Sequence, residues 1–147
     1  NDGAGALIIA SEAAVQRDGI YPLAKVIAYD DAAQAPEWFT TSPAIAIEKV
    51  LRKAGLKPDD IDFYEINEAY ANVPIINARL AGLDIDRINV HGGGVSIGHP
   101  IGASGARILT TLVYSLIDSN ARYGIAALCN GGGGATAMLI ENMQVKG

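Results

Sequence analysis

The chain has 147 residues, 50% of them hydrophobic and 18% charged, with a formal net charge of -5. That length suffices for one domain with a real core, and the apolar share excludes a disordered chain. The acidic balance excludes a nucleic-acid partner, whose affinity comes from Lys and Arg set against phosphates. No apolar run spans a bilayer, the longest helical one being Ile108 to Ile117.

Asn1 opens the sequence with no leader before the apolar residues that begin at Ala6, and the chain is read as a piece of a longer protein. Ala6-Leu7-Ile8-Ile9-Ala10 is a continuous apolar run that predicts a buried strand. Ser11 and Glu12 open a short helix that Gly19 closes. Leu23 to Tyr29 predicts another strand, a central one because Val26, Ile27 and Ala28 leave no polar face. Asp30 to Thr41 contains Pro36 and Trp38, lacks periodicity and predicts a loop. Ser42-Pro43 then starts a helix, with Ile47, Val50, Leu51 and Ala54 on one stripe and Gly55 as its stop.

Ile61 to Ile66 reads as a strand that delivers Asn67 at its carboxyl end, where open α/β sheets carry their functional groups. The helix expected from about Glu68 to Leu80 contains Pro74, which must kink it or delay its start. Arg87 to Val90 predicts a short strand before a loop of small residues, Gly92 to Arg107, that carries His99 into the Ile108 to Ile117 helix. Ile125 to Leu128 and Ala135 to Ile140 are two further strands, separated by so few residues that they must return antiparallel. Such alternation implies an α/β fold with a mainly parallel sheet and helices on both faces.

Three stretches carry chemistry. His99 sits among glycines that let a ligand or a backbone approach closely, and an imidazole can accept or donate a proton. Asn67 is a helix cap or a polar ligand group. Cys129 is a small buried residue or a reactive thiol, its thiolate open to stabilisation by the N–H groups of Gly131 to Gly134. The glycine runs lack the Lys and spacing of a phosphate loop, and the single cysteine and two histidines are too scattered for a metal site. A lone cysteine forms no internal disulfide, which favours a reducing setting, the cytoplasm first, without excluding an organelle.

Glu65-Ile66-Asn67-Glu68-Ala69-Tyr70, the loop around Gly98-His99-Pro100, and Leu128-Cys129-Asn130-Gly131 together resemble, in order and spacing, the asparagine, histidine and cysteine blocks of the thiolase family, its acetoacetyl-CoA branch above all. The resemblance implies the C-terminal half of a thiolase fold, with a five-stranded sheet and one antiparallel strand. It implies reversible condensation of two acetyl-CoA to acetoacetyl-CoA plus CoA, with CoA thioesters as substrates and no cofactor. Asn67 would hold a water that forms one oxyanion hole with His99, which would also activate a nucleophilic cysteine. The Gly131 N–H would belong to a second oxyanion hole, and Cys129 would be the acid/base. Phe39 and Tyr70 would lie at the acyl pocket. The nucleophile belongs to the family's N-terminal half and is not among these residues, so an N-terminal half is an implied partner, in a homodimer or homotetramer. Two rivals remain: a Cys-His-Asn hydrolase with Cys129 as nucleophile, and a non-catalytic scaffold subunit. A ketosynthase fits less well, since that family usually has histidine where Asn67 stands.

Overall fold

The sheet is built from β1 (Ala24–Ala33), β2 (Phe63–Ile66), β3 (Tyr123–Cys129) and β4 (Gly134–Asn142), in a computed structural model that describes residues 1–145. The strands lie in the order β1-β4-β3-β2. β2 and β3 run parallel, with Ile66 level with Ala127, whereas β4 is antiparallel to both β3 and β1. Five helices accompany them among the described residues: α1 (Glu12–Asp18), α2 (Ser42–Ala54), α3 (Asn72–Ala81), α4 (Gly94–Ile97, a single turn) and α5 (Ser104–Asp118).

The α/β architecture holds, with helices on both faces of the sheet. On one face Ile47, Val50 and Leu51 of α2 and Val73 of α3 meet Tyr64, Ile66, Ile125 and Leu139. On the other, Ile108, Leu112 and Leu116 of α5 cover Ala126 and Ile140. Each such side chain, once buried, contributes roughly 1.5 to 3 kcal/mol of transfer free energy. Three helices stop as the glycines direct: Gly19, Gly55 and Gly82 take left-handed backbone with φ of 64°, 68° and 65°.

The sheet itself differs from the expectation of five mainly parallel strands. The segment Ala6 to Ala10 is no strand; it pairs with no strand among the described residues and is exposed, Ile8 at 97%. Its glycine-rich start lies against the histidine loop instead: a Cβ on Gly3 would come within 2.6 Å of Pro100 Cγ, and one on Gly5 within 3.0 Å of Ala106 Cβ. β1 is longer than expected and forms the edge, not the centre, and its apolar run leaves Val26 and Ile27 exposed. The loop expected from Asp30 becomes the end of β1 and then a 3-10 turn, Pro36–Thr41.

Arg87 to Val90 makes one bridge, Tyr64 to Ile88, and no strand. The reason is Asn89, whose φ of 50° turns the chain out of extended geometry. Pro74 turns out to be harmless. α3 starts at Asn72, so the proline falls in the first turn, where backbone donors have no helical partner in any case.

Candidate functional site

The parallel pair β2/β3 sets the site. One residue past the Ile66–Ala127 pair, the Asn67 N–H extends the ladder to the Ala127 carbonyl at 2.9 Å. Cys129 is the last residue of β3. Both therefore stand at the carboxyl edge of the same two strands, about one strand spacing of 4.8 Å apart in the pairing direction. Strand alternation turns Glu65 and Asn67 toward α5, and Cys129 toward the α2 side.

His99 meets Asn67 from the loop ahead of α5. The Asn67 amide nitrogen lies 3.5 Å from His99 Nδ1 and 3.4 Å from Nε2. Near-equal distances place the amide against the ring, since an in-plane bond to one nitrogen leaves the other much further off. The in-plane edge of the ring is thus open for other partners. At Nδ1 that partner is Ser104, whose Oγ is 2.5 Å away, 0% exposed, and within 3.1 Å of the Pro100 carbonyl. The Pro100 carbonyl already accepts the Ala103 and Ser104 N–H groups, at 2.8 and 2.9 Å, and which of Nδ1 and Oγ donates in the shorter contact is set by the imidazole tautomer. Nε2 is the nitrogen left to receive a proton or, once protonated, to donate one.

Ser104 was not singled out by sequence reasoning; the only signal was its place five residues after His99 at the start of a helix. Ser104→Ala is expected to take away the partner of Nδ1, so that the tautomer balance moves, and to cost roughly 1 kcal/mol of stability. Imidazole 15N shifts read the first effect, urea unfolding the second.

Asn67 is 1% exposed, and its Oδ1 has no hydrogen-bond partner among the described residues. A buried acceptor left so costs about 1 to 3 kcal/mol until a donor arrives. Arg107, on α5, likewise has buried Nε and Nη2 without partners among the described residues. Beside it Glu65 is 2% exposed, and burial pushes its carboxyl up to about 8, with the Arg107 charge opposing and Glu68 adding.

Cys129 makes no hydrogen bond to Asn67 or His99 among the described residues. Burial pushes its thiol above the ordinary range, while a backbone hydrogen bond pulls the other way. The glycine turn that follows is mostly occupied with itself. Gly132 and Gly134 donate to Asn130 Oδ1 at 3.1 and 3.3 Å, and Gly133 donates to the Asn130 carbonyl at 3.2 Å. The expectation that four glycine N–H groups face a ligand is thereby corrected, because an asparagine side chain closes the turn. Gly131 N–H alone of the four makes no hydrogen bond among the described residues, and a Cβ on Gly131 would meet nothing within 4 Å.

Phe39 and Tyr70 come together edge to face, with ring centroids 6.3 Å apart at 66°. The Phe39 turn is tied to the cysteine turn: the Ser42 hydroxyl and the Gln34 N–H both donate to the Gly133 carbonyl, at 2.7 and 3.0 Å. A Cβ on Gly133, at φ 91°, would fall 2.1 Å from the Gln34 carbonyl oxygen, so only glycine fits there. No group of three or more His, Cys, Asp or Glu side chains able to hold a metal is found among the described residues. No helix among them is long and apolar enough to cross a membrane.

Residues 20–142 match the family model described as thiolase, C-terminal domain. The chain is 52% identical over 143 residues to the acetyl-CoA acetyltransferase of Schizosaccharomyces pombe, covering 97% of this chain and 36% of that one. It is 51% identical over 146 residues to acetyl-CoA acetyltransferase 1 of Arabidopsis thaliana, covering 99% and 35%. Among solved structures it is similar to Acat5 thiolase from Ascaris suum in complex with coenzyme A, with a TM-score of 0.86, 45% identity, and 90% and 34% of the two chains covered. Human mitochondrial 3-ketoacyl-CoA thiolase in complex with CoA superposes with a TM-score of 0.88 at 38% identity, again over 90% and 34%. The chain thus spans about a third of the length of the relatives it matches.

Proposed function

The chain belongs to the thiolase family, through its C-terminal domain, and from that premise we propose that it supplies one half of the active site of an acetyl-CoA C-acetyltransferase. The observation that carries the proposal is the Asn67–His99 contact, made at the strand ends where Cys129 also stands, with no partner in the ring plane for Nε2 of the imidazole among the described residues.

In this reading a cysteine of an N-terminal half takes an acetyl group from one acetyl-CoA and releases CoA. Cys129, as thiolate, then removes a proton from the methyl group of a second acetyl-CoA. The carbanion attacks the acyl-enzyme carbonyl, a carbon–carbon bond forms, the enzyme thiolate leaves and acetoacetyl-CoA results. Charge develops on two thioester oxygens. The His99 Nε2 side, with a water held by Asn67, faces one of them, and the unspent Gly131 N–H serves the other. Phe39 and Tyr70 border the acyl group. CoA thioesters are the substrates, and the working enzyme is a homodimer or homotetramer in which exposed side chains such as Ile8 and Ile101 are covered. Relatives carry both cytosolic and mitochondrial names, and of the two settings the proposal places the enzyme in the cytoplasm.

Acetoacetyl-CoA cleavage tests the reading. The 147 residues alone are expected to be inactive, and the same domain joined to its N-terminal half to turn over. Robust turnover by the isolated chain would mean that Cys129 is itself the nucleophile.

A further inference from the structure

β2 stops at Ile66, where the next strand of a larger sheet would have to provide hydrogen bonds. A side chain provides them. Asn89 Oδ1 accepts from the Ile66 N–H and Asn89 Nδ2 donates to the Ile66 carbonyl, both at 2.8 Å. The backbone of Asn89 joins in, its N–H donating to the Tyr64 carbonyl at 2.8 Å, and its φ of 50° is what aims the amide along the strand.

The second proton of Asn89 Nδ2 goes to Glu68 Oε1 at 2.8 Å, and the other carboxylate oxygen, Oε2, accepts the Val95 N–H at 2.9 Å. One continuous chain of hydrogen bonds therefore leads from Ile66 through Asn89 and Glu68 to Val95. Its first end is the neighbour of Asn67, and its last lies in the short turn Gly94–Ile97 that leads to His99. The loop is pressed onto this bridge: a Cβ on Gly93 would sit 2.6 Å from Glu68 Cδ, and one on Gly94 2.6 Å from the Glu68 carbonyl oxygen. A carboxylate accepting two donors makes bonds stronger and shorter than a neutral acceptor does. The two residues the bridge connects, Asn67 and His99, are the pair in contact.

We infer that Glu68 and Asn89 are positioning residues, a clamp that holds the histidine loop against the end of β2 so that the Asn67 amide and the His99 imidazole face one thioester oxygen together. Neither touches the reacting atoms. The inference rests on the activity proposed above, and its test separates the two. Displacing one oxyanion donor by about an ångström costs on the order of a hundred-fold in rate.

In the enzyme assembled with its N-terminal half, Glu68→Gln turns an NH2 toward one of the two donors, and Asn89→Asp removes both Nδ2 donors. Each is expected to lower kcat about 30-fold with KM changed less than about two-fold. The double variant restores a donor and an acceptor between positions 68 and 89, and is expected to recover part of the loss. Should Glu68→Gln fail to fold, Asn89→Gly, which suits the left-handed backbone, removes the bridge more gently and is read in the same way. The 13Cε1 resonance of His99 is followed in every variant, since it needs no turnover. A shifted resonance together with a lowered kcat supports the clamp. A folded variant with kcat within about two-fold of the parent and an unshifted resonance overturns it. A shifted resonance in a parent enzyme that never cleaves acetoacetyl-CoA rejects the activity and keeps the clamp.

Discussion

Cys129→Ser in the assembled enzyme is expected to slow carbon–carbon bond formation about a thousand-fold and to leave the first acyl transfer near its original rate. Cys129 is 9% exposed at the end of β3, and desolvation pushes its thiol up, so at neutral pH it holds its proton. That suits an acid that returns a proton to the carbanion in cleavage. It suits an attacking nucleophile badly, since reactive thiols have their pKa lowered by positive neighbours or helix ends. In condensation the thiol must first ionise, so the rate climbs with pH, along a limb displaced upward by the same burial. A serine hydroxyl is far less acidic and cannot take the step. Rapid quenching separates the half-reactions: CoA release from the first acetyl-CoA is expected to keep its burst, with the steady state lost. Equal slowing of both would restore the hydrolase reading, with Cys129 as nucleophile, and no change in either would remove its acid/base role.

What could be read from the sequence was whatever depends on a few residues at fixed spacing. The blocks around Asn67, His99 and Cys129 are ordered along the chain as strand ends and a glycine loop, and the fold carries the first two into contact. Glycine stops and the Ser42-Pro43 start are local rules, and they held at Gly19, Gly55 and α2. Whatever depends on which neighbour a segment finds was not legible. Val26-Ile27-Ala28 is as apolar as a central strand, yet pairs on one side only. Ala6 to Ala10 has strand composition and pairs with no strand among the described residues. Asn89 looked like part of a strand, while its side chain in fact replaces one. Asn130 was unremarked, although it takes two of the glycine N–H groups assigned to a ligand. Ser104 and Glu68 belong to quoted motifs, but their roles follow from which atoms they reach, and spacing along a chain does not contain that.

Glu65→Gln is expected to leave stability nearly unchanged at pH 4 and to raise it by roughly 4 kcal/mol above pH 8. Burial lifts the folded carboxyl from 4.5 to about 8, so across that window the native state holds a proton that the unfolded chain has released. Stability then falls as pH rises: the native state is favoured fully below the unfolded pKa, and the advantage is gone once pH passes the folded value. Glutamine keeps the shape and has no charge to expose, so its curve lacks this descent. Urea unfolding of parent and variant at pH 4, 6 and 9 measures the difference directly, and other titrating groups cancel between them. Arg107 decides the outcome at high pH. Its Nε and Nη2 are buried without partners among the described residues, and its charge already opposes the shift of Glu65. A variant less stable than the parent at pH 9 would overturn this expectation and mean that the guanidinium turns to meet the ionised carboxylate, so that removing the charge orphans the arginine. A difference that is flat from pH 4 to 9 would mean that Glu65 is ionised throughout and that the carboxylate two residues ahead of Asn67 contributes a constant negative field to the site.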